Sequence, residues 1–305
     1  MNFAPLAALP QAAIESGLRK GGVCLDVGTF RFRVRSNCAF LADPLYQLYA
    51  AYPASLDTSD LVDFEIELRR NQKFWAREVE FIWEGKSPFP PLPISQTHPL
   101  FEWGLNWVIA TLSGNDVVIH SAVVEKNGWA LILPGDPGSG KSTLCATLAL
   151  NDWRLLSDEL TIIDRNTLAV RPVPRPISLK DQSIRLVQST FPDTYLTKPI
   201  SDTRKGDIAY AKPCDRSVLA VDQTAPIGMI LYPRYKPESP LEITPISKAF
   251  ALAKLLENTF NVGLLGKQGV VDAARAIDNA KCFQISYSRF DDLLPWLNNE
   301  CPAPR

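Results

Sequence analysis

The run Gly135-Asp136-Pro137-Gly138-Ser139-Gly140-Lys141-Ser142-Thr143 fits the pattern GxxxxGK[ST]. Its residue types suit the binding of a polyphosphate. Glycines at 135, 138 and 140 permit positive φ and let the main chain approach a phosphate closely. Successive N–H groups then turn inward as an anion nest. A helix expected to begin near Lys141 adds the positive end of its dipole. Lys141 brings a point charge for the β and γ phosphates. The Ser142 hydroxyl is an oxygen ligand of the kind Mg²⁺ takes. By itself such a pattern is only a glycine turn. Here residues 129–134 (WALILP) read as a buried strand before it and residues 143–150 as a buried helix after it, which is the context the motif requires.

A bound triphosphate serves a switch, a motor or a phosphoryl donor. No NKxD base reader of the switch GTPases is present, and no apolar run ending in Asp lies far downstream, as motors and transporters require. Instead an acidic pair, Asp158-Glu159 in LLSDE, follows the loop closely at the end of an expected strand. Two carboxylates there can hold Mg²⁺, with Asp158 joining Ser142 as a ligand, and can accept a proton from an attacking hydroxyl. Phosphoryl transfer also needs cations around the moving group. Arg175 and Lys180 in RPVPRPISLKD and Arg204 and Lys205 in the RKGD turn are the candidates, with Pro172, Pro174 and Pro176 stiffening the segment around Arg175. Only two histidines occur, His98 and His120. A His inside an apolar strand such as VVIHSAVV is by itself more often a core residue than a catalyst. Asn261 is expected to cap a helix C-terminus. Tyr232 and Tyr235 are not expected to stack on a base.

The elements that must position these groups follow from periodicity. Residues 23–30, 30–36, Phe64–Arg70 and 78–84 alternate apolar and polar like half-buried strands, and residues 45–51 resemble a short helix. The proline cluster at 88–93 breaks regular structure, and 100–112 has helical spacing of its large apolar residues. From residue 116 onward a strand–turn–helix–strand order appears, which argues for an α/β core with a mixed sheet. Two domains are expected, an α+β accessory domain over 1–105 and the phosphate-loop domain over 106–305.

Composition excludes several classes. The 305 residues are 46% hydrophobic and 21% charged, ordinary for a globular chain. A net charge of −1 provides no global basic field for nucleic acid. No apolar run reaches the roughly 18 residues of a membrane span, and the order of apolar and basic residues at the N-terminus is the reverse of a signal peptide. Six cysteines are scattered without a CxxC pair, so a reducing, cytoplasmic setting without disulfides or zinc is expected.

Together, His120 in its strand, the glycine loop and the SDE turn have spacings that resemble the catalytic domain of the bacterial HPr kinase/phosphorylase family. The likeness covers residues 120–164. PVPRPISLKD, RKGDIAY and ENTFN (257–261) resemble the HPr-kinase-related kinase A branch. The resemblance implies an α/β fold of the HPr kinase and phosphoenolpyruvate carboxykinase type, with ATP and Mg²⁺ as ligands. It matches His120 to an active-site histidine, Asp158 to the first Asp of the family's acidic pair and Glu159 to the second, at the general-base position. Homo-oligomers, which family members often form, are implied in the same way. Two departures stand out: Glu replaces Asp at 159, and the E-x-R-G-L-G-type signature linked to dephosphorylation is absent. They point away from phosphorylase activity and from HPr as the acceptor.

The sequence thus leads to the expectation of an ATP-dependent kinase acting on a hydroxyl of a protein, a peptide or a small molecule. Lys141 and the loop amides hold the triphosphate, and Ser142 and Asp158 hold the metal. Glu159, assisted by His120, takes the proton, while Arg175, Lys180 or Lys205 stabilises the moving phosphoryl group. A nucleotide-binding regulatory module and a simple NTPase are the alternatives.

Overall fold

A computed structural model describes residues 3–71, 77–136 and 138–301. The fold is mixed α/β, with several sheets of mixed strand direction. The chain divides into two compact units, residues 1–108 with 175–219, and residues 109–174 with 220–305.

In the first unit a seven-stranded sheet runs in the order Ala4–Pro5, Pro53–Ser55, Val23–Asp26, Arg31–Ser36, Phe64–Arg70, Glu78–Trp83 and Leu92–Pro93. Arg31–Ser36 and Phe64–Arg70 pair in parallel. Of the segments expected over 23–30 and 30–36, the first ends as a strand at Asp26 in a turn, in which the Gly28 N–H donates to Asp26 Oδ1 at 2.9 Å, and the second is the strand Arg31–Ser36. The short helix is Ala42–Leu48, a few residues before its expected place. Residues 175–219 add a three-stranded sheet, Ile177–Lys180, Gly206–Ala211 and Ile200–Thr203. A single boundary at 105/106 is therefore not what the chain adopts. The division near it falls at 108/109, inside the helix Thr97–Leu112, and 175–219 returns to the first unit. The reason lies in its contacts. Arg175 pairs with Glu102, Gln96 donates to Asp202 O, and the His98 ring packs edge-on against Tyr210.

The second unit is built on the strand Ala225–Tyr235. It pairs in parallel with Trp129–Leu133 on one side and with Lys281–Tyr287 on the other, as continuous apolar runs buried on both faces do. Trp129–Leu133 is joined to Ala122–Lys126 by a two-residue hairpin at Asn127-Gly128, with φ of 57° and 83°. Asn-Gly is the dipeptide that accepts positive φ at both central positions of such a turn. Arg154–Ser157 then pairs antiparallel with the far edge of Ala122–Lys126. The helices Lys248–Glu257 and Val262–Ala276 place Ala251, Leu255, Ala273 and Ala276 in a core shared with Ile132, Val123 and Ile230. Among the described residues no helix is long and apolar enough to cross a membrane.

Two strand paths bend side by side, each running from one part of the nine-stranded sheet to another. Val117–His120 continues past Ser121 into Ala122–Lys126, and Arg154–Ser157 continues past Asp158-Glu159 into Leu160–Ile163. His120 lies opposite Leu160, and Ser157 opposite Val123. Hydroxyls pin the corner: Ser121 Oγ bonds Thr161 Oγ1 at 2.8 Å, and Thr161 Oγ1 is 3.3 Å from the Ser121 carbonyl. Both residues are fully buried. Thr161→Val keeps the shape but orphans the Ser121 hydroxyl, so a loss of about 1–3 kcal/mol is expected. A urea midpoint lowered at unchanged slope would show it, and an unchanged midpoint would assign the corner no role in stability.

Candidate active site

Register gathers the phosphate loop, the acidic pair and His120. Leu133, the last residue of its strand, lies opposite Ala122, so residues 134–136 leave the sheet beside the corner at 120–122. Asp158 and Glu159 sit at the same corner, between Ser157 opposite Val123 and Leu160 opposite His120. Backbone pairing alone thus brings together three segments far apart in sequence.

The loop has the conformation its glycines allow. Gly140 precedes the helix Lys141–Leu150 with φ 94°, a left-handed value. A Cβ there would lie 3.1 Å from Tyr235 Cβ and 3.4 Å from the Tyr287 hydroxyl. At Gly135 a Cβ would press within 2.9 Å of Ser139 Oγ. The loop is held from behind by Tyr235, whose N–H donates to the Ser139 carbonyl at 3.1 Å, and from within by Ser139 N–H to Asp136 O at 3.1 Å. Tyr235 and Tyr287 pack edge to face, with ring centroids 5.9 Å apart. Burial pushes the Tyr287 hydroxyl well above the usual phenol range. Pro137 lies outside the described residues. Gly138 and Asp136 are exposed, and Gly135, Ser139, Lys141, Ser142 and Thr143 are half-buried.

The helix after the loop is apolar nearly all round, and Leu144, Cys145, Ala146, Thr147, Leu148 and Ala149 are all buried. That burial fixes its axis, leaving the first turn to face outward. Lys141 Nζ reaches back to donate to the Gly135 carbonyl at 2.7 Å, so the ammonium lies across the loop. Inside the loop, Ser139 Oγ is buried with no hydrogen-bond partner among the described residues. A buried, unsatisfied hydroxyl costs free energy that an incoming acceptor recovers. Left-handed glycines, this hydroxyl and the lysine across the loop together fit a phosphate group.

Asp158 is 5% exposed and reaches the helix behind the loop. Burial pushes the Cys145 thiol well above its usual pKa, and the charge of Asp158 and its hydrogen bond to the thiol add to the shift. Cys145 stands one turn after Ser142, which sets Asp158 against the first turns of the phosphate-loop helix. Glu159 Oε2 lies 3.6 Å from His120 Nδ1, with both side chains partly exposed, 19% and 34%. Among the described residues no group of three or more His, Cys, Asp and Glu side chains is arranged to hold a metal. Mg²⁺ bound with a nucleotide draws most of its ligands from phosphate oxygens and water, so Ser142 and Asp158 are a sufficient protein share.

The expected cations lie in the first unit. Arg175 is buried there at 5% exposure, its guanidinium donating to Glu102 Oε2 at 3.1 Å and to Asn106 Oδ1. Lys180 ends the strand Ile177–Lys180, opposite Ile208. Lys205 Nζ stands 5.3 Å above the Trp103 ring. The prolines thus hold Arg175 where its charge is matched by a buried carboxylate, an arrangement that cannot be read from composition. Asn261 is not a C-cap; that place is taken by Asn258. Instead Asn261 Nδ2 donates to Ser113 O and Asp116 O, and its Oδ1 accepts from the Val118 N–H. The Tyr232 hydroxyl donates to Ala251 O at 2.8 Å, which occupies it structurally. Sequence reasoning missed the bracing role of Tyr235 and Tyr287, although LYPRYKP carried one of the two rings.

Gly140→Ala is expected to lose about 1–2 kcal/mol of stability from the left-handed backbone. It is also expected to weaken ATP binding at least about tenfold as the loop shifts away from Tyr235, a change of about 1.4 kcal/mol. Isothermal titration checks the second value, and parent-like affinity would mean that the loop conformation does not govern binding.

No protein-family model matches the chain, and no curated protein sequence matches it.

Proposed function

We propose that the second unit is an ATP-dependent, Mg²⁺-requiring kinase that transfers the γ-phosphoryl group to a hydroxyl, with an α/β fold of the HPr kinase and phosphoenolpyruvate carboxykinase type. The observation that carries this reading is the meeting of the phosphate loop with the carboxylate–imidazole pair Glu159–His120 at one sheet corner. A nucleotide sensor has use for the loop but none for a partly exposed base beside it. Transfer to a hydroxyl needs both.

In this reading Lys141 leaves the Gly135 carbonyl and pairs with the β and γ phosphates. The main-chain amides of 138–143 and the Ser139 hydroxyl complete the anion nest. Ser142 and Asp158 would hold Mg²⁺, which would supply neutralisation of charge on the phosphate oxygens. Asp158 stays in place because the buried Cys145 thiol and the helix behind it leave its carboxylate little room. Glu159 accepts the proton of the acceptor hydroxyl and becomes neutral, and His120, 3.6 Å away, assists by taking that proton on as an imidazolium, which leaves Glu159 ionised again. The reading does not depend on Arg175, Lys180 or Lys205.

Incubation with γ-labelled ATP, Mg²⁺ and candidate acceptors, including a cell lysate, tests it. Label is expected on an acceptor, with Lys141→Ala abolishing nucleotide binding. Glu159→Gln should leave binding intact and reduce transfer by about 10²–10⁴-fold, the usual share of a general base. Phosphate released to water alone would leave a simple NTPase, and tight binding without turnover a regulatory module; either outcome overturns the kinase reading.

A further inference from the structure

Two strands that carry no reacting group end against the phosphate loop. Ala225–Tyr235 and Lys281–Tyr287 run in parallel, and their last residues, Tyr235 and Tyr287, lie opposite each other. In open α/β sheets ligands bind beyond the carboxyl ends of parallel strands. The Tyr235 N–H meets the loop there, donating to the Ser139 carbonyl at 3.1 Å. The Tyr287 ring packs on Tyr235 with centroids 5.9 Å apart and on Phe290 at 5.6 Å. Those two rings fix the phenol, and with it the place of its hydroxyl.

A phenyl ring would brace the loop equally well. Tyr287 is 1% exposed, and its hydroxyl has no hydrogen-bond partner among the described residues. A phenol buried in that way forfeits its bonds to water and gains none in return. Buried tyrosines ordinarily find a partner. The hydroxyl borders the loop, since a Cβ built on Gly140 would lie 3.4 Å from it. The same point is 4.0 Å from the Tyr235 nitrogen. The two donors therefore converge on the peptide that joins Ser139 to Gly140. Its carbonyl takes the Tyr235 N–H on one lone pair and has a second. The loop also has a rearrangement ahead of it in the proposed function, because Lys141 Nζ rests on the Gly135 carbonyl in the free protein.

We propose that Tyr287 is a positioning residue for the phosphate loop, its hydroxyl donating to the Ser139 carbonyl once the loop has closed on a phosphate. The free protein leaves this donor unused. Binding satisfies it, and two donors in place of one then hold the loop from behind. The proposal rests on the reading of the loop as a polyphosphate site, and it is independent of phosphoryl transfer.

Isothermal titration with Mg²⁺ and a non-hydrolysable ATP analogue, read beside urea unfolding, tests it. Tyr287→Phe keeps the ring and removes only the hydroxyl. The urea midpoint of the free protein should hold or rise, because no bond is lost. Kd for the analogue should rise about 3- to 10-fold, the weight of one hydrogen bond. Tyr232→Phe is the counterpart, since it removes a hydroxyl already bonded to Ala251 O at 2.8 Å. There the midpoint should fall and Kd should stay. In aromatic carbon spectra the Tyr287 Cζ resonance should shift on saturation with the analogue, and that of Tyr232 should not. A parent-like Kd in Tyr287→Phe, or a Tyr287 resonance that stays put, overturns the proposal. So does a lowered midpoint in Tyr287→Phe, which would mean that the hydroxyl is already bonded in the free protein. A parent protein that binds no analogue brings down the phosphate-loop reading and the proposal together; a parent that binds, matched by Tyr287→Phe, brings down the proposal alone.

Discussion

Leu133 lies opposite Ala122 because the Asn127-Gly128 hairpin admits one register for the two strands it joins, and Ser157 lies opposite Val123 across a bulge at Leu156. A slip of one residue in the hairpin would turn the buried faces of its two strands outward. Val123 and Ile132 both belong to the core, so such a slip would expose them together. The core therefore enforces the register, and the register sets which backbone ends meet. The loop that follows Leu133, the corner that carries His120 and the turn that carries Asp158-Glu159 are neighbours for that reason. Each side chain of the candidate site depends on pairing that its own local sequence does not encode.

Burial decreases outward from that sheet. The helix Lys141–Leu150 is buried over most of its length, and Asp158 is lodged against it near Cys145. In the proposed function these groups would hold phosphates and metal, which requires fixed geometry. Glu159 and His120 are partly exposed. A proton acceptor must meet a substrate that arrives from solvent, so exposure there is a requirement of the reading rather than a defect. Lys141 spans both regimes: its backbone starts a buried helix, and its ammonium rests on the Gly135 carbonyl within reach of the loop amides.

The glycine loop, its preceding strand and its following helix were legible because each has a strong local signature, and the structure places all three as the sequence implied. The mixed sheet of the second unit was also legible in the order of its elements. The return of 175–219 to the first unit was not, because a short three-stranded sheet has the same local pattern whichever unit it joins. Arg175 illustrates the cost of that gap. Its proline neighbours suggested a stiffened cation for phosphoryl transfer, but the carboxylate that neutralises it, Glu102, lies far away in sequence on an apolar helix. Asn261 misled for a related reason. Its position after a helix suggested a cap, while its real partners, Ser113, Asp116 and Val118, are more than a hundred residues away. The Asn-Gly hairpin was a readable signal that sequence reasoning passed over.

In the proposed function the main-chain amides of 138–143 grip a polyphosphate whose terminal group faces Glu159 and His120. A crystal structure of the full chain with Mg²⁺ and a non-hydrolysable ATP analogue measures this directly. The account predicts the β and γ phosphates inside the loop, Lys141 Nζ moved from the Gly135 carbonyl onto them, and the γ phosphate next to the Glu159 carboxylate. Phosphates bound elsewhere, or a Lys141 that keeps its bond to Gly135 with the nucleotide present, would contradict it.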